Sequence, residues 1–185
     1  MPDSLPRERG PYKVLASEPR YRNRWMAVRE DRVIRPGGTE GSFGVVEMVA
    51  GSSVLALDDQ DRVHLVREFK YALGRDSLEV ISGGIDEGET PLAAAQRELG
   101  EEAGLVASAW QEMAAIDPFT TAIRCRNHLF LARGLSQTAA APDDGEELTL
   151  VTLPFDQALQ MVLAGEISHA ASCILLLRTA RLLGR

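Results

Sequence analysis

A chain of 185 residues with 20 Lys and Arg against 27 Asp and Glu carries a formal charge of −7, and 45% of its residues are hydrophobic. That balance excludes an intrinsically disordered chain, which lacks apolar residues to bury, and the 16 Gly and 9 Pro show no collagen-like period. The acidity argues against nucleic acid and anionic membrane as partners, because both are bound through Lys and Arg.

The first ten residues, MPDSLPRERG, are polar, read as frayed and contain no apolar core of a secretory signal. β-like runs follow at Tyr12–Ala16, Trp25–Val28 and Asp31–Ile34, with turns marked by Pro36-Gly37-Gly38 and Gly41. Phe43–Val49 reads as a strand. Ser53–Leu57 and Val63–Arg67 read as a hairpin around the polar turn Asp58-Asp59-Gln60-Asp61. Leu78–Ile81 is a short strand running into Ser82-Gly83-Gly84. Thr90-Pro91 is an N-cap followed by Pro at the first helical position, the helix former-rich stretch Leu92–Ala103 follows, and Gly104 closes it. Strands return at Val106–Ile116 (with an interruption), Asn127–Ala132 and Leu148–Leu153. Asp156 is expected to cap a short helix ending near Gly165, and a last helix runs from about Ala170 to Leu183. Strands, one helix, strands and two helices make an α+β chain or a sandwich with a mixed sheet rather than a βαβ repeat. Its longest apolar run, Cys173–Leu177, is far too short to span a bilayer. Cys125 and Cys173 lack CxxC spacing, which suits a reduced, cytoplasmic setting.

Glu98, Glu101 and Glu102 fall at i, i+3 and i+4, on one helix face. A solvated face is the plain reading of such a run. Against it, Glu101 and Glu102 occupy the last turn, where the helix dipole disfavours negative charge. Oxygen donors clustered there suit a hard divalent cation such as Mg²⁺ or Mn²⁺.

The spacing around these acids is specific. Gly83 is followed after five residues by Glu89 and after seven more by Arg97-Glu98-Leu99; then come Glu101-Glu102 and Gly104-Leu105. This resembles the signature box of the Nudix hydrolases at every fixed position. The resemblance implies a Nudix fold, an α/β/α sandwich on a mixed sheet with N-terminal β-strands added. It implies hydrolysis of a nucleoside diphosphate linked to another group, with divalent metal on Glu98, Glu101 and Glu102 and on the main-chain carbonyl of Ser82. It makes Arg97 the residue that orients one of these acids, and Gly83 and Gly84 the turn before the helix.

Val66-Arg67-Glu68-Phe69-Lys70-Tyr71 and Leu78-Glu79-Val80-Ile81-Ser82-Gly83-Gly84-Ile85-Asp86-Glu87-Gly88-Glu89 are similar to the ADP-ribose pyrophosphatase subgroup, with Ile81-Ser82 where Pro-Ala is usual. This likeness implies Mg²⁺-dependent cleavage of ADP-ribose or a related nucleoside diphosphate sugar. It implies substrate contacts from Arg67, Phe69, Glu79 and Gly83. For Phe69 and Tyr71, ordinary packing remains an alternative, and for Glu79 a structural ion pair. The likeness also implies a catalytic base in the acidic run Asp143-Asp144-Gly145-Glu146-Glu147, with Glu146 first and Glu147 or Asp144 next. Residues 1–48 become N-terminal strands that build a homodimer, and 49–185 the hydrolase domain. A house-cleaning triphosphate hydrolase and a non-catalytic nucleotide-sugar sensor are the rival readings. The histidines, His64, His128 and His169, sit at no metal-ligand spacing and read as packing or capping residues.

The acidity is uneven. Asp86–Glu102 holds six acids and one arginine, a net −5, and Asp143–Glu147 adds −4, so the rest of the chain is +2.

Overall fold

A computed structural model describes residues 5–138 and 147–185. In chain order the strands begin with β1 (Arg7–Arg9), β2 (Tyr12–Arg22), β3 (Met26–Ile34), β4 (Glu40–Met48), β5 (Gly51–Leu57) and β6 (Arg62–Lys70). There follow β7 (Arg75–Glu79), β8 (Ile81–Gly84), helix α1 (Pro91–Ala103), β9 (Leu105–Ile116), β10 (Ile123–Arg124) and β11 (Asn127–Gln137). The chain ends with β12 (Thr149–Pro154), α2 (Phe155–Leu163) and α3 (Ala170–Leu182). Among the described residues, those up to Val49 together with Phe119–Cys125 form one compact unit. Ala50–Pro118 and Arg126–Arg185 form the other.

The first unit is a five-stranded sheet ordered β1-β2-β3-β4-β10. It differs from the sequence reading in two ways. Arg7–Arg9, expected to fray, pairs antiparallel with Tyr12–Val14. The two short runs around residues 25–34 are one strand, because Arg29 and Glu30 lie between β2 and β4 and are hydrogen-bonded into both ladders. Asp31 is buried there; its carboxylate accepts from Ser17 Oγ at 2.6 Å and Arg29 Nε at 3.1 Å.

The second unit holds a mixed sheet with the order β12-β6-β5-β11-β9. β5 and β11 run parallel and the other neighbours antiparallel. β5 and β6 pair only at Ala56–His64 and Leu57–Val63, next to their turn. Beyond that they separate, and β7 pairs with β6 while β8 pairs with β5. β9 is continuous, and the expected interruption is a bulge where the register against β11 shifts between Leu129 and Phe130.

Alternation along the central strands sorts the core into two layers. Val54, Ala56, Phe130 and Ala132 face one way and pack with Ala95 and Leu99 of α1. Leu55, Leu57, Leu129 and Leu131 face the other way and pack with Phe155 and Ala158 of α2 and Leu175 and Leu176 of α3. The result is the α/β/α sandwich. Asp156 lies within the first turn of α2 rather than at its cap; Pro154 is the N-cap and makes no side-chain cap bond. Asp156 instead pairs with Arg185 at 3.0 Å. No helix among the described residues is long and apolar enough to cross a membrane.

Candidate active site

The helix bearing the acids is fixed at both ends. Thr90 Oγ1 accepts from Ala93 N at 3.2 Å, Pro91 fills the first turn, and Gly104 takes the left-handed conformation with φ 61°. Ser52 Oγ on β5 donates to Pro91 O at 2.6 Å, which ties the start of α1 to the sheet. With Ala95 and Leu99 buried against the sheet, the 98–101–102 face turns to β8. Glu98 is buried, and its carboxylate lies so close over Gly83 that a Cβ there would collide with both oxygens. Gly83 is therefore a steric requirement of the Glu98 position.

Arg97 gathers the acids. Its Nε and Nη2 donate to the two oxygens of Glu89, both at 3.1 Å. Nη1 donates to Glu98 Oε1 at 2.7 Å and to Glu101 Oε2 at 2.9 Å, and Nη2 also reaches Gly84 O at 2.8 Å. The Glu89 hydrogen bonds, joined by those of Glu98 and Glu101, hold the guanidinium above its ordinary pKa against the opposite pull of burial. Reciprocally, the Arg97 hydrogen bond holds Glu89 below the usual glutamate range. The third acid, Glu102, accepts from Ser82 N at 3.4 Å.

One guanidinium nitrogen thus bridges Glu98 and Glu101, so two carboxylate oxygens already converge on a single cationic atom. Among the described residues, no three Asp, Glu, His or Cys side chains converge closely enough to hold a metal as they stand. The donor chemistry nevertheless fits one. All the oxygens are hard, and Gly83, which lies in β8 opposite Ser52 rather than in the expected turn, leaves room for the Glu98 carboxylate.

The other expected residues divide. Along β6, Arg67 and Phe69 share a face with Val63 and Leu65, which belong to the α2/α3 layer. They are exposed there, and Tyr71 at the hairpin tip is 94% exposed. Strand alternation therefore does not bring Arg67 or Phe69 to the glutamates. It brings Glu68 and Lys70 instead, on the face of Val66. Glu79 is buried opposite Val66. Its Oε2 lies 3.9 Å from Lys70 Nζ and 3.4 Å from His169 Nδ1. Burial pulls the Lys70 ammonium down, but the hydrogen bond to Glu68 and the charges of Glu79, Glu68 and Glu102 outweigh it and leave the pKa raised. The sequence reading singled out neither Lys70 nor the Glu79 contact of His169, which it read as a packing or capping residue and which is the N-cap residue of α3. The period-2 position of Lys70 relative to Val66 was the available signal for the first. Asp144 and Glu146 lie outside the described residues; Glu147, within them, is exposed.

Residues 48–172 match the NUDIX domain model, and residues 12–46 match the nucleoside diphosphate sugar hydrolase N-terminal domain. An ADP-ribose pyrophosphatase of Mycobacterium tuberculosis is 32% identical over 162 residues, spanning 86% of this chain and 78% of that protein. A methanol dehydrogenase activator of Bacillus methanolicus is 28% identical, spanning 81% of this chain and 82% of that one. A crystal structure of an ADP compounds hydrolase superposes with a TM-score of 0.82 over 94% of each chain at 21% identity, a likeness of fold.

Proposed function

The chain belongs to the NUDIX domain family, and from that premise we propose that it hydrolyses the pyrophosphate bond of ADP-ribose or a related nucleoside diphosphate sugar. The products are a nucleoside monophosphate and a sugar phosphate. The observation that carries the reading is the convergence of Glu98 and Glu101 on one cationic nitrogen beside the Gly83 cradle. The N-terminal match and the Mycobacterium tuberculosis relative support the substrate class.

In this reading Glu98, Glu101, Glu102 and the Ser82 carbonyl hold Mg²⁺, with Mn²⁺ as a substitute. Bound there, such ions neutralise phosphate charge and lower the pKa of a water ligand. Arg97 keeps Glu98 and Glu101 oriented while Glu89 fixes its own plane. Gly83 gives the Glu98 carboxylate room beside the substrate, Glu79 offers the substrate an acceptor, and Lys70 adds positive charge on the same side. Glu146 is the general base, with Glu147 and Asp144 the alternatives. The N-terminal strands and the turn between β2 and β3, which together expose Tyr21, Trp25, Phe43 and Met48, serve a homodimer. Two cysteines without CxxC spacing and a nucleotide substrate suit the cytoplasm.

The test is purified protein with Mg²⁺ or Mn²⁺ on ADP-ribose, ADP-glucose, GDP-mannose, dinucleotides and nucleoside triphosphates, with products identified. AMP and ribose 5-phosphate from ADP-ribose are expected. Pyrophosphate released from a triphosphate alone would replace the reading with the house-cleaning one. Tight ADP-ribose binding without turnover would replace it with a sensor.

A further inference from the structure

The extended segment that runs from β7 into β8 changes partners at one residue. Glu79 closes the ladder of β7 with β6, opposite Val66, and Ile81 opens the ladder of β8 with β5, opposite Val54. Val80, fully buried between them, belongs to neither. A buried N–H left out of a sheet must find another acceptor. Here Val80 N donates to Ser172 Oγ at 2.9 Å, from the first turn of α3.

Ser172 is itself fully buried and lies 2.9 Å from Nδ1 of His169, the N-cap residue of α3. The same Nδ1 is 3.4 Å from Glu79 Oε2. The ring nitrogen faces a hydroxyl, which can donate or accept, and a carboxylate, which only accepts, so the approach to Glu79 is favourable when Nδ1 carries the proton. Burial keeps the ring below its ordinary pKa, with Glu79 opposing and the Lys70 charge acting the same way as burial. Glu79 Oε2 is thereby shared by His169 and Lys70, while Oε1 has no hydrogen bond among the described residues.

We propose that His169 is a positioning residue of the hydrolase. With Lys70 it occupies Oε2 of Glu79, beside the crossing that Ser172 pins at Val80, so that Oε1 is left to accept a hydroxyl of the substrate. The proposal rests on the hydrolase reading above. It adds a contact from α3, ninety residues beyond Glu79, that the signature box does not contain.

The experiment is a double-mutant cycle on the substrate that the parent cleaves. His169→Ala is expected to raise KM about tenfold with kcat little changed, the signature of a lost ground-state contact. His169→Asn, which restores an N–H near Nδ1, is expected to recover most of it. In the Glu79→Gln background, His169→Ala is expected to add less than about twofold, because residues acting on one group are not additive. The parent should show an Nδ1–H imidazole for His169 in its ¹⁵N spectrum, a readout independent of turnover that serves even if the alanine variant folds poorly. An unchanged effect in the Glu79→Gln background, no rescue by Asn, or an Nε2–H ring overturns the proposal while leaving the hydrolase standing. A parent that cleaves nothing on the panel removes both.

Discussion

On one side of the larger sheet, α1 lays a narrow apolar strip of Ala95 and Leu99 over Val54, Ala56, Phe130 and Ala132. On the other side, α2 and α3 bury Phe155, Ala158, Leu175, Leu176 and Ala180 against Leu55, Leu65, Leu129 and Leu131. The same strands supply both layers, yet one helix face is largely spent on acids and the other two helices on packing. Like charges at Glu98, Glu101 and Glu102 oppose folding. Arg97 offsets part of that by meeting three carboxylates at once, and the thicker layer supplies stability the first lacks. The lesson is a division across one sheet, in which the clustered acids and the bulk of the apolar packing lie on opposite faces.

Substitutions can break that division or sharpen it. The largest effects belong to the α1 side. Glu98→Gln should lower kcat by at least roughly 10²–10³-fold with the fold retained by circular dichroism, a loss of the size seen when one electrostatic group is removed from a site. Gly83→Ala should cost about 10²-fold in kcat/KM, since its methyl would displace the Glu98 carboxylate, and small misplacements cost that much. Comparable loss of thermal stability in both would contradict the division. On the other side, Leu175→Ala should cost about 2–5 kcal/mol in urea unfolding while the folded fraction keeps its kcat/KM within a few-fold. A collapse of turnover at full folding would show that the faces are coupled.

The smallest effect concerns pH. Glu89 has its pKa depressed by Arg97 in the folded state, so its contribution is present above the ordinary glutamate range and is lost as pH falls through the lowered value. Glu89→Gln should therefore lower Tm by about 2–4 °C at neutral pH and by nothing in strong acid. A Tm difference independent of pH would place the role of Glu89 in packing.

Much of the α1 side was legible before any coordinates. Thr90, Pro91 and Gly104 are local signals, and the acids follow from helical spacing alone. The N-terminal edge was not. Arg7–Arg9 is charged throughout and becomes a strand only because Tyr12–Val14 pairs with it. β6 hid its faces, because Leu65 and Val66 are both buried and alternation gives no sign of which side Arg67 takes. The Lys70–Glu79–His169 group joins positions 99 residues apart, and only tertiary structure brings them together. The capping role expected of Asp156 failed because the strand β12 ends at Pro154, so the helix begins one residue earlier than the acid.

The parallel pairing of Gly51–Ala56 with Asn127–Ala132 joins residues 76 positions apart. Closing so long a loop is paid in chain entropy before any contact repays it, which makes non-local strand pairs slow to form. Phe130 and Ala132 complete the floor on which α1 rests, so the helix has no finished seat until that pair has closed. The consequence is an order of events. The acids of α1 gain their fixed seat beside Gly83 late in folding, and pulse-labelled hydrogen exchange should find α1 amides protected after those of β5 and β11. A partly folded chain would then hold a hydrophobic nucleus well before it holds a place for cations.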